Sequence, residues 1–351
     1  MDAQTTEHPD QAEPTTREVL EGAIVHEEQS FAIRFFLLLG VLLAVLVVLF
    51  YILPGSPKSV PETVAVKSSD LEDAATNAVH DAVTTIFPQV AIEAKAAYVM
   101  DLDSGVVYFS KNGTAQLPLA SLTKLMTILV AAELFDESDA LTVTAVDLQD
   151  DQGTGLLPEE SWLSRDLFTY TLTQSSNGGA RAIASAAGAL PQASPIAHQS
   201  AEKEFVARMN AEADTLGLSQ TYFINETGLD ETDRTGGGYG SARDVARLMG
   251  EMISRHPEII EGTRHEAVQL STVDNQNHVA INTNQSIGGI PGLIGSKTGF
   301  TDLAGGNLTI AFDRGVGRPV IVVVLGSSKE GRFSDVETLV DATFTYLGLS
   351  D

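Results

Sequence analysis

A serine and a lysine stand three residues apart, Ser121 and Lys124, within the stretch Pro118-Leu-Ala-Ser-Leu-Thr-Lys-Leu-Met-Thr-Ile-Leu-Val130. The apolar residues Leu122, Leu125, Met126, Leu129 and Val130 recur at helical spacing, which predicts a helix with one buried face. Residues i and i+3 of a helix share a face, so the Lys124 amine falls beside the Ser121 hydroxyl. A helix N-terminus adds unpaired N–H groups and partial positive charge. A base next to a hydroxyl, with donors for a developing oxyanion, suits a nucleophilic serine. Alone, the pattern is common on solvated helices. Two further stretches change its weight. Gln174-Ser-Ser-Asn-Gly-Gly179 lies between two expected helices, and Gly295-Ser-Lys-Thr-Gly-Phe-Thr301 ends an expected strand. Together they form an ordered set: Ser121-x-x-Lys124, Ser175-x-Asn177, Lys297-Thr298-Gly299.

The elements that must position these groups follow from periodicity and turn residues. Ala96 to Leu102 and Val106 to Phe109 read as strands joined by Asp103-Ser-Gly105, a hairpin signal. The helix of Ser121 follows. Helices are expected from Ser164 to Thr173, Gly179 to Leu190, Ala201 to Leu216 and Ser241 to Arg255. The last opens on a capping-box-like Ser241-Ala-Arg-Asp244 and stops at Pro257. Strands are expected from His265 to Val273, Leu293 to Thr298, Asn307 to Asp313 and Pro319 to Leu325, before a final amphipathic helix from Ser334 to Leu347. Strands at both ends with helices between them predict an α+β fold, an antiparallel sheet formed from both ends of the domain with an inserted helical layer.

Upstream of the domain, residues 1–34 are polar and acidic and read as a disordered tail. Phe35 to Leu53 is an uninterrupted apolar run close to the ~20 residues that span a bilayer as a helix. Its long acidic lead and the missing small-x-small site argue against a cleaved signal, so the reading is one transmembrane helix anchoring the chain. Positive charge leaves its orientation open, because Arg34 faces Lys58 and Lys67. Residues 54–90 form a linker broken by Pro54, Pro57 and Pro61, with a short helix expected between Asp70 and Phe87, and the catalytic domain covers 91–351. The net charge of −26 excludes nucleic acid as a partner, which needs basic patches. With no cysteine there is no disulfide, thiol nucleophile or thiolate metal site, and the seven scattered histidines show no ligand spacing. No cofactor or metal is implied.

The ordered set is the one found in penicillin-binding proteins and class A β-lactamases. From Ala91 to Leu349 the chain resembles the D-alanyl-D-alanine carboxypeptidases, the low-molecular-mass penicillin-binding proteins of the serine peptidase class. The flanks agree: Tyr98-Val-Met-Asp-Leu-Asp-Ser-Gly-Val-Val-Tyr108, Leu117 to Thr127, Phe205 to Gly228 with Asn225-Glu-Thr-Gly228, and Asn282-Thr-Asn284 ahead of Lys297. The resemblance implies a β-lactamase/transpeptidase-like fold, stem peptides of peptidoglycan ending in D-Ala-D-Ala as substrate, and β-lactam antibiotics as inhibitors. It also implies that the domain is extracytoplasmic and that residues 1–34 are cytoplasmic. Ser121 then attacks the penultimate D-Ala carbonyl. Lys124 acts as base, its amine made less basic by burial and by Lys297. Ser175 relays a proton to the leaving amine, and Asn177 holds Lys124 and the substrate amide. Lys297 and Thr298 bind the terminal carboxylate. Gly299 lets the substrate backbone lie against the strand, and the N–H groups of Ser121 and Phe300 form the oxyanion hole.

Other residues read more plainly. Trp162 reads as packing and the histidines as solvated or structural. Arg332 falls where the family uses a second cation near the carboxylate, but surface charge is the simpler reading. Gly178-Gly179 replaces a common Asp-Ala of relatives and is expected to loosen the start of its helix. The chain stops after its last helix, where relatives often continue into a β-rich domain and a C-terminal anchor. The anchor is therefore expected at the N-terminus. The alternatives are a DD-endopeptidase of peptidoglycan cross-links, a β-lactamase, for which only Glu159 and Glu160 offer a deacylating carboxylate, and a non-catalytic wall-binding module.

Overall fold

The computed structural model describes residues 90–149, 155–190 and 201–349. The acidic tail, the apolar run 35–53, the linker as far as residue 89 and its short helix lie outside the described residues. Among the described residues no helix is long and apolar enough to cross a membrane.

The strands, in chain order, are β1 (Ala96–Asp101), β2 (Val107–Lys111), β3 (Leu117–Pro118), β4 (Ala140–Thr142), β5 (Ser161–Leu163), β6 (Tyr222–Phe223), β7 (Gly238–Gly240), β8 (Ala267–Ser271), β9 (Asn277–Ile281), β10 (Leu293–Thr301), β11 (Gly305–Asp313) and β12 (Pro319–Ser327). The principal helices are α1 (Lys124–Ala132), α2 (Ser164–Gln174), α3 (Asn177–Gly188), α4 (Ala201–Thr215), α5 (Ala242–Arg255), the short α6 (Pro257–Glu261) and α7 (Gly331–Tyr346). The main sheet is antiparallel in the order β10-β11-β12-β1-β2, so the first strand of the domain pairs with the last, Ala96 opposite Leu325 and Val99 opposite Val322. This is the expected sheet built from both ends.

The period-2 alternation of the central strands divides the interior in two. Val320, Val322 and Val324 join Leu308, Ile310 and Phe312 against Val336, Leu339 and Val340 of α7. Ile321, Val323 and Leu325 face the other way, toward the helical lobe and Val245, Leu248 and Met249 of α5. A sheet covered on both faces makes its inner strands continuously apolar. The strand order leaves β10 as an edge strand, with one side of its backbone unpaired within the sheet.

Several expectations need correction. Helix α1 is buried from Lys124 to Ala131, not on one face. It runs through the middle of the helical lobe, where an apolar helix has no solvent side. Strand β9 lies where no strand was expected, and with β8 it forms a separate hairpin. Strand β10 continues through Gly299 to Thr301, and α7 starts three residues early, at Gly331. The capping reading holds, since Ser241 Oγ accepts the Asp244 N–H at 3.1 Å. Gly179 does not loosen α3. Its N–H is capped by Ser176 Oγ at 3.0 Å, and a side chain there would collide with Thr171 Oγ1 of α2.

The opening hairpin is pinned to the turn between β11 and β12 by one buried carboxylate. Asp101 accepts from the Ser104 N–H and hydroxyl (2.9 and 2.7 Å), the Tyr108 hydroxyl (2.9 Å) and Arg314 Nη2 (2.8 Å). Burial alone would raise its pKa. These donors outweigh burial and hold the pKa at about 2, while burial and the same carboxylate push the Tyr108 hydroxyl up to about 12. A depressed carboxyl stabilises the fold above its ordinary range and loses that contribution as pH falls toward 2. Asp101→Asn is expected to cost about 2 kcal/mol at neutral pH. The gap to the unsubstituted protein should close between about pH 4 and pH 2. Urea unfolding at stepped pH measures both.

Candidate active site

The site is built where the nucleophile turn, the loop between α2 and α3, and the edge strand β10 meet. Leu117–Pro118 pairs with Tyr239–Gly240, and the Leu119 N–H reaches Gly238 O at 2.9 Å, so the chain enters the turn already fixed. Ala120 then takes a left-handed backbone (φ +49°), and Ala120–Thr123 form a 3₁₀ turn before α1 begins at Lys124. A left-handed alanine is strained. It persists because the carbonyl oxygen of Ala120 seats against Gly228 (φ +79°), where any side chain would collide with it.

Lys124 is fully buried and its Nζ makes three bonds: Ser121 Oγ at 3.0 Å, Asn177 Oδ1 at 2.8 Å and the Thr227 carbonyl at 2.7 Å. An ammonium has three donors, and here three acceptors meet them. A neutral amine in the same place would aim its lone pair at one of these partners and accept the Ser121 hydroxyl proton. The Thr227 carbonyl comes from a turn organised by Asn225, whose Oδ1 accepts the N–H groups of Thr227 (3.2 Å) and Gly228 (2.7 Å). The sequence showed Asn225-Glu-Thr-Gly228 as a landmark without a role. An Asn followed three residues later by Gly is the local signal for such a turn.

Lys297, 1% exposed, donates to Ser175 Oγ at 2.8 Å and to the Thr298 carbonyl at 2.8 Å. Burial first, then the charges of Lys124 and Arg332, hold its amine well below the usual lysine range. Ser175 caps the end of α2 in a left-handed conformation (φ +59°), which turns its hydroxyl toward Lys297. The two lysines thus reach the cleft from opposite walls, Lys124 holding Ser121 and Asn177, Lys297 holding Ser175. The Thr298 hydroxyl pairs with that of Thr283, within Asn282-Thr-Asn284.

Gly299 has a task at the nucleophile turn that the sequence did not show. A Cβ there would stand 2.8 Å from the Leu119 carbonyl oxygen and 3.2 Å from the Ser121 nitrogen, so the glycine lets β10 close on the nucleophile turn itself. The Ser121 N–H is thereby brought against β10 beside Phe300. The Phe300 ring is 40% exposed, with Lys329 Nζ 5.3 Å from its centre. Arg332 is not surface charge. It is 6% exposed and donates from Nη1 to the Gly299 carbonyl at 2.8 Å. Its place four residues before Val336, on the buried stripe of α7, was the available signal.

The remaining expectations fall away from the reacting groups. Glu160 accepts from the Leu157 N–H (2.9 Å) and Trp162 Nε1 (3.4 Å) and pairs with His278 (2.8 Å), while Glu159 is exposed. His278 and Trp162 are therefore structural, packed at 4.8 Å between ring centres. No group of His, Asp or Glu among the described residues has metal-site geometry.

A sequence profile of the family described as D-alanyl-D-alanine carboxypeptidase, peptidase family S11, matches residues 81–329. The chain belongs to this family. D-alanyl-D-alanine carboxypeptidase DacF of Bacillus subtilis is 30% identical over 263 residues, 73% of this chain and 64% of DacF. DacB2 of Mycobacterium tuberculosis is 30% identical over 237 residues, 66% of this chain and 75% of DacB2. The chain thus spans less than two thirds of DacF. Among solved structures, penicillin-binding protein D2 of Listeria monocytogenes in its ampicillin-bound form aligns with a TM-score of 0.60 at 30% identity, over 73% of this chain and 99% of that one. The family match contains Ser121, Lys124, Ser175, Asn177 and Lys297, and Arg332 lies three residues beyond it.

Gly299→Ala is expected to move β10 off the nucleophile turn. A displacement on the order of 1 Å should slow acylation by a penicillin about 100-fold. Far-UV circular dichroism should stay unchanged, because the strand itself tolerates alanine.

Proposed function

We propose that this protein is a serine-type D-Ala-D-Ala carboxypeptidase that removes the terminal D-Ala from peptidoglycan stem peptides through an acyl-enzyme on Ser121. The observation that carries this reading is the Lys124 amine, buried, 3.0 Å from Ser121 Oγ and tied to Asn177 and Thr227. The terminal carboxylate docks at Lys297 and Thr298, which places the scissile carbonyl over Ser121. The Ser121 hydroxyl passes its proton to Lys124 as Oγ bonds to the carbonyl carbon, and the N–H groups of Ser121 and Phe300 take the oxyanion. Collapse breaks the C–N bond, and the proton returns to the leaving D-Ala amine through Ser175. Water then hydrolyses the ester, with the same groups moving its proton. A β-lactam enters the same path, its carboxylate on the same lysine, and its acyl group stays on Ser121 because its leaving amine remains tethered. The tie of Glu160 to Trp162 and His278 supports a peptidase over a β-lactamase, since it supplies no deacylating carboxylate at Ser121.

Residues 35–53 anchor the chain in the cell membrane as a single pass, with residues 1–34 cytoplasmic and the catalytic domain outside, where its substrate is. Support comes from the length and apolarity of that run and from the substrate of the proposed reaction.

A fluorescent penicillin should label the protein on a peptide containing Ser121, and Ser121→Ala should remove the label entirely. Incubation with stem peptides should release free D-Ala. Monomers released from cross-linked dimers without free D-Ala would point to an endopeptidase instead. Deleting residues 35–53 should move the labelled protein from the membrane to the soluble fraction on centrifugation.

A further inference from the structure

The cleft leads at one end onto a surface that the mechanism above does not use. With the terminal carboxylate at Lys297 and Thr298 and the scissile carbonyl at the Phe300 N–H, the rest of a stem peptide runs on past Thr301. There Thr301 Oγ1 donates to Asp230 Oδ1 at 3.0 Å. Next to Asp230 lies Gly236, where a Cβ would stand 3.6 Å from Asp230 Oδ1, 3.6 Å from Tyr239 Cζ and 3.3 Å from Pro118 Cβ. The Gly236 N–H donates to the Tyr239 hydroxyl at 2.8 Å and so fixes that ring. Tyr239 belongs to the small sheet β3-β7-β6, in which it stands opposite Pro118 on one side and Tyr222 on the other. Directly paired residues of an antiparallel sheet share a face. Pro118, Tyr239 and Tyr222 therefore form one row. The other face of the sheet is the buried one, since Phe223 is 3% exposed against 41% for Tyr222. The two tyrosine rings stack, their centres 5.1 Å apart and their planes inclined by 16°. Because β6 is an edge of this sheet, no further strand covers the outer side of Tyr222.

We propose that this row is a docking site for the glycan strand from which the stem peptide hangs. The pyranose rings of such a strand present flat C–H faces with hydroxyl and N-acetyl groups at their rims. A stacked, exposed tyrosine pair offers the matching surface, an aromatic face with a polar tip. The row itself carries no charge, which suits a neutral sugar better than an ionic peptide. An exposed aromatic patch continuous with a binding cleft marks an interaction surface. The reach agrees. Two D-Ala residues of a stem pentapeptide lie in the cleft, and the other three extend about 10 Å toward the glycan. Pro118, at the near end of the row, stands three residues from Ser121 and so falls within the same reach. The proposal rests on the reading of this protein as a peptidase of peptidoglycan stem peptides. It adds the polymer to the substrate: stem peptides still attached to glycan are trimmed faster than the same peptides free in solution.

The test measures D-Ala release by the full-length protein from a free stem pentapeptide and from the same pentapeptide carried on uncross-linked glycan strands. The unsubstituted protein should show the higher kcat/KM on the glycan-borne peptide. Tyr222→Ala should lower that value about tenfold, through KM, by removing one stacking face. It should leave the free peptide and acylation by a fluorescent penicillin unchanged. Tyr222→Trp keeps a flat aromatic face and should retain the preference for glycan. Equal loss on both substrates would make Tyr222 a structural residue, and no loss on either would leave the row without a sugar; both overturn the proposal. So does a Tyr222→Ala protein that keeps its preference for glycan but elutes as a smaller species on size exclusion, since the row then joins two copies of the chain. If Tyr222→Ala does not fold, binding decides. Immobilised glycan strands stripped of their peptides should retain the unsubstituted protein after treatment with penicillin, and failure to retain it overturns the proposal. Retention requires no turnover, so absence of penicillin labelling or of D-Ala release counts separately, against Ser121 and Lys124.

Discussion

Two buried lysines, the charge of one acting on the other, are the constraint on which the rest of the domain depends. Removing an ammonium from water costs several kcal/mol even after relaxation, and a second cation nearby adds repulsion. The domain meets that cost with directed acceptors. Lys124 has a hydroxyl, a side-chain amide and a backbone carbonyl; Lys297 has a hydroxyl and a carbonyl. Neutral acceptors satisfy the donors without cancelling the charge. Burial and the two neighbouring cations hold the Lys297 amine well below the usual lysine range.

Holding this arrangement takes strain at two points, on opposite sides of the cleft. Ala120 and Ser175 both have left-handed backbones without being glycine, and each directly adjoins or is a reacting residue. Such conformations survive where the surroundings over-determine them. Ala120 is held by β3 pairing before it, α1 after it and Gly228 against its carbonyl. Ser175 is held as the cap of α2, directly before the capped start of α3. The glycines at 228 and 299 serve the same end from outside, allowing a turn and a strand to approach the nucleophile more closely than any side chain permits.

The sheet decides where the cleft can be. Because β1 pairs with β12, and β2 closes the far side, β10 is left at the edge facing the helical lobe. An edge strand offers unpaired backbone to an extended peptide, so the strand that carries Lys297, Thr298 and Gly299 is also the one able to receive a substrate as an added strand. Arg332 reaches this strand from α7 on the other side and binds the Gly299 carbonyl, which ties the C-terminal helix to the geometry of the site.

Much of this was legible in the residues. The ordered triplets pointed to a single site because each occupied a helix start, an inter-helix loop or a strand end, and apolar periodicity marked the outer elements of an antiparallel sheet. What the residues did not reveal depends on partners distant in the chain. Burial of α1 on all sides, the buried place of Arg332, the closure of Gly299 on the nucleophile turn, and the Lys297–Ser175 bond all arise between segments more than 30 residues apart. Local pattern fixes spacing along a helix or strand, and so it determined that Ser121 and Lys124 would be neighbours. It carries no information on which distant backbone comes to rest against them. Only tertiary packing decided that Lys124 would be gripped by the turn at 225–228 and faced by a second buried lysine, because desolvation and close approach are properties of the assembled interior.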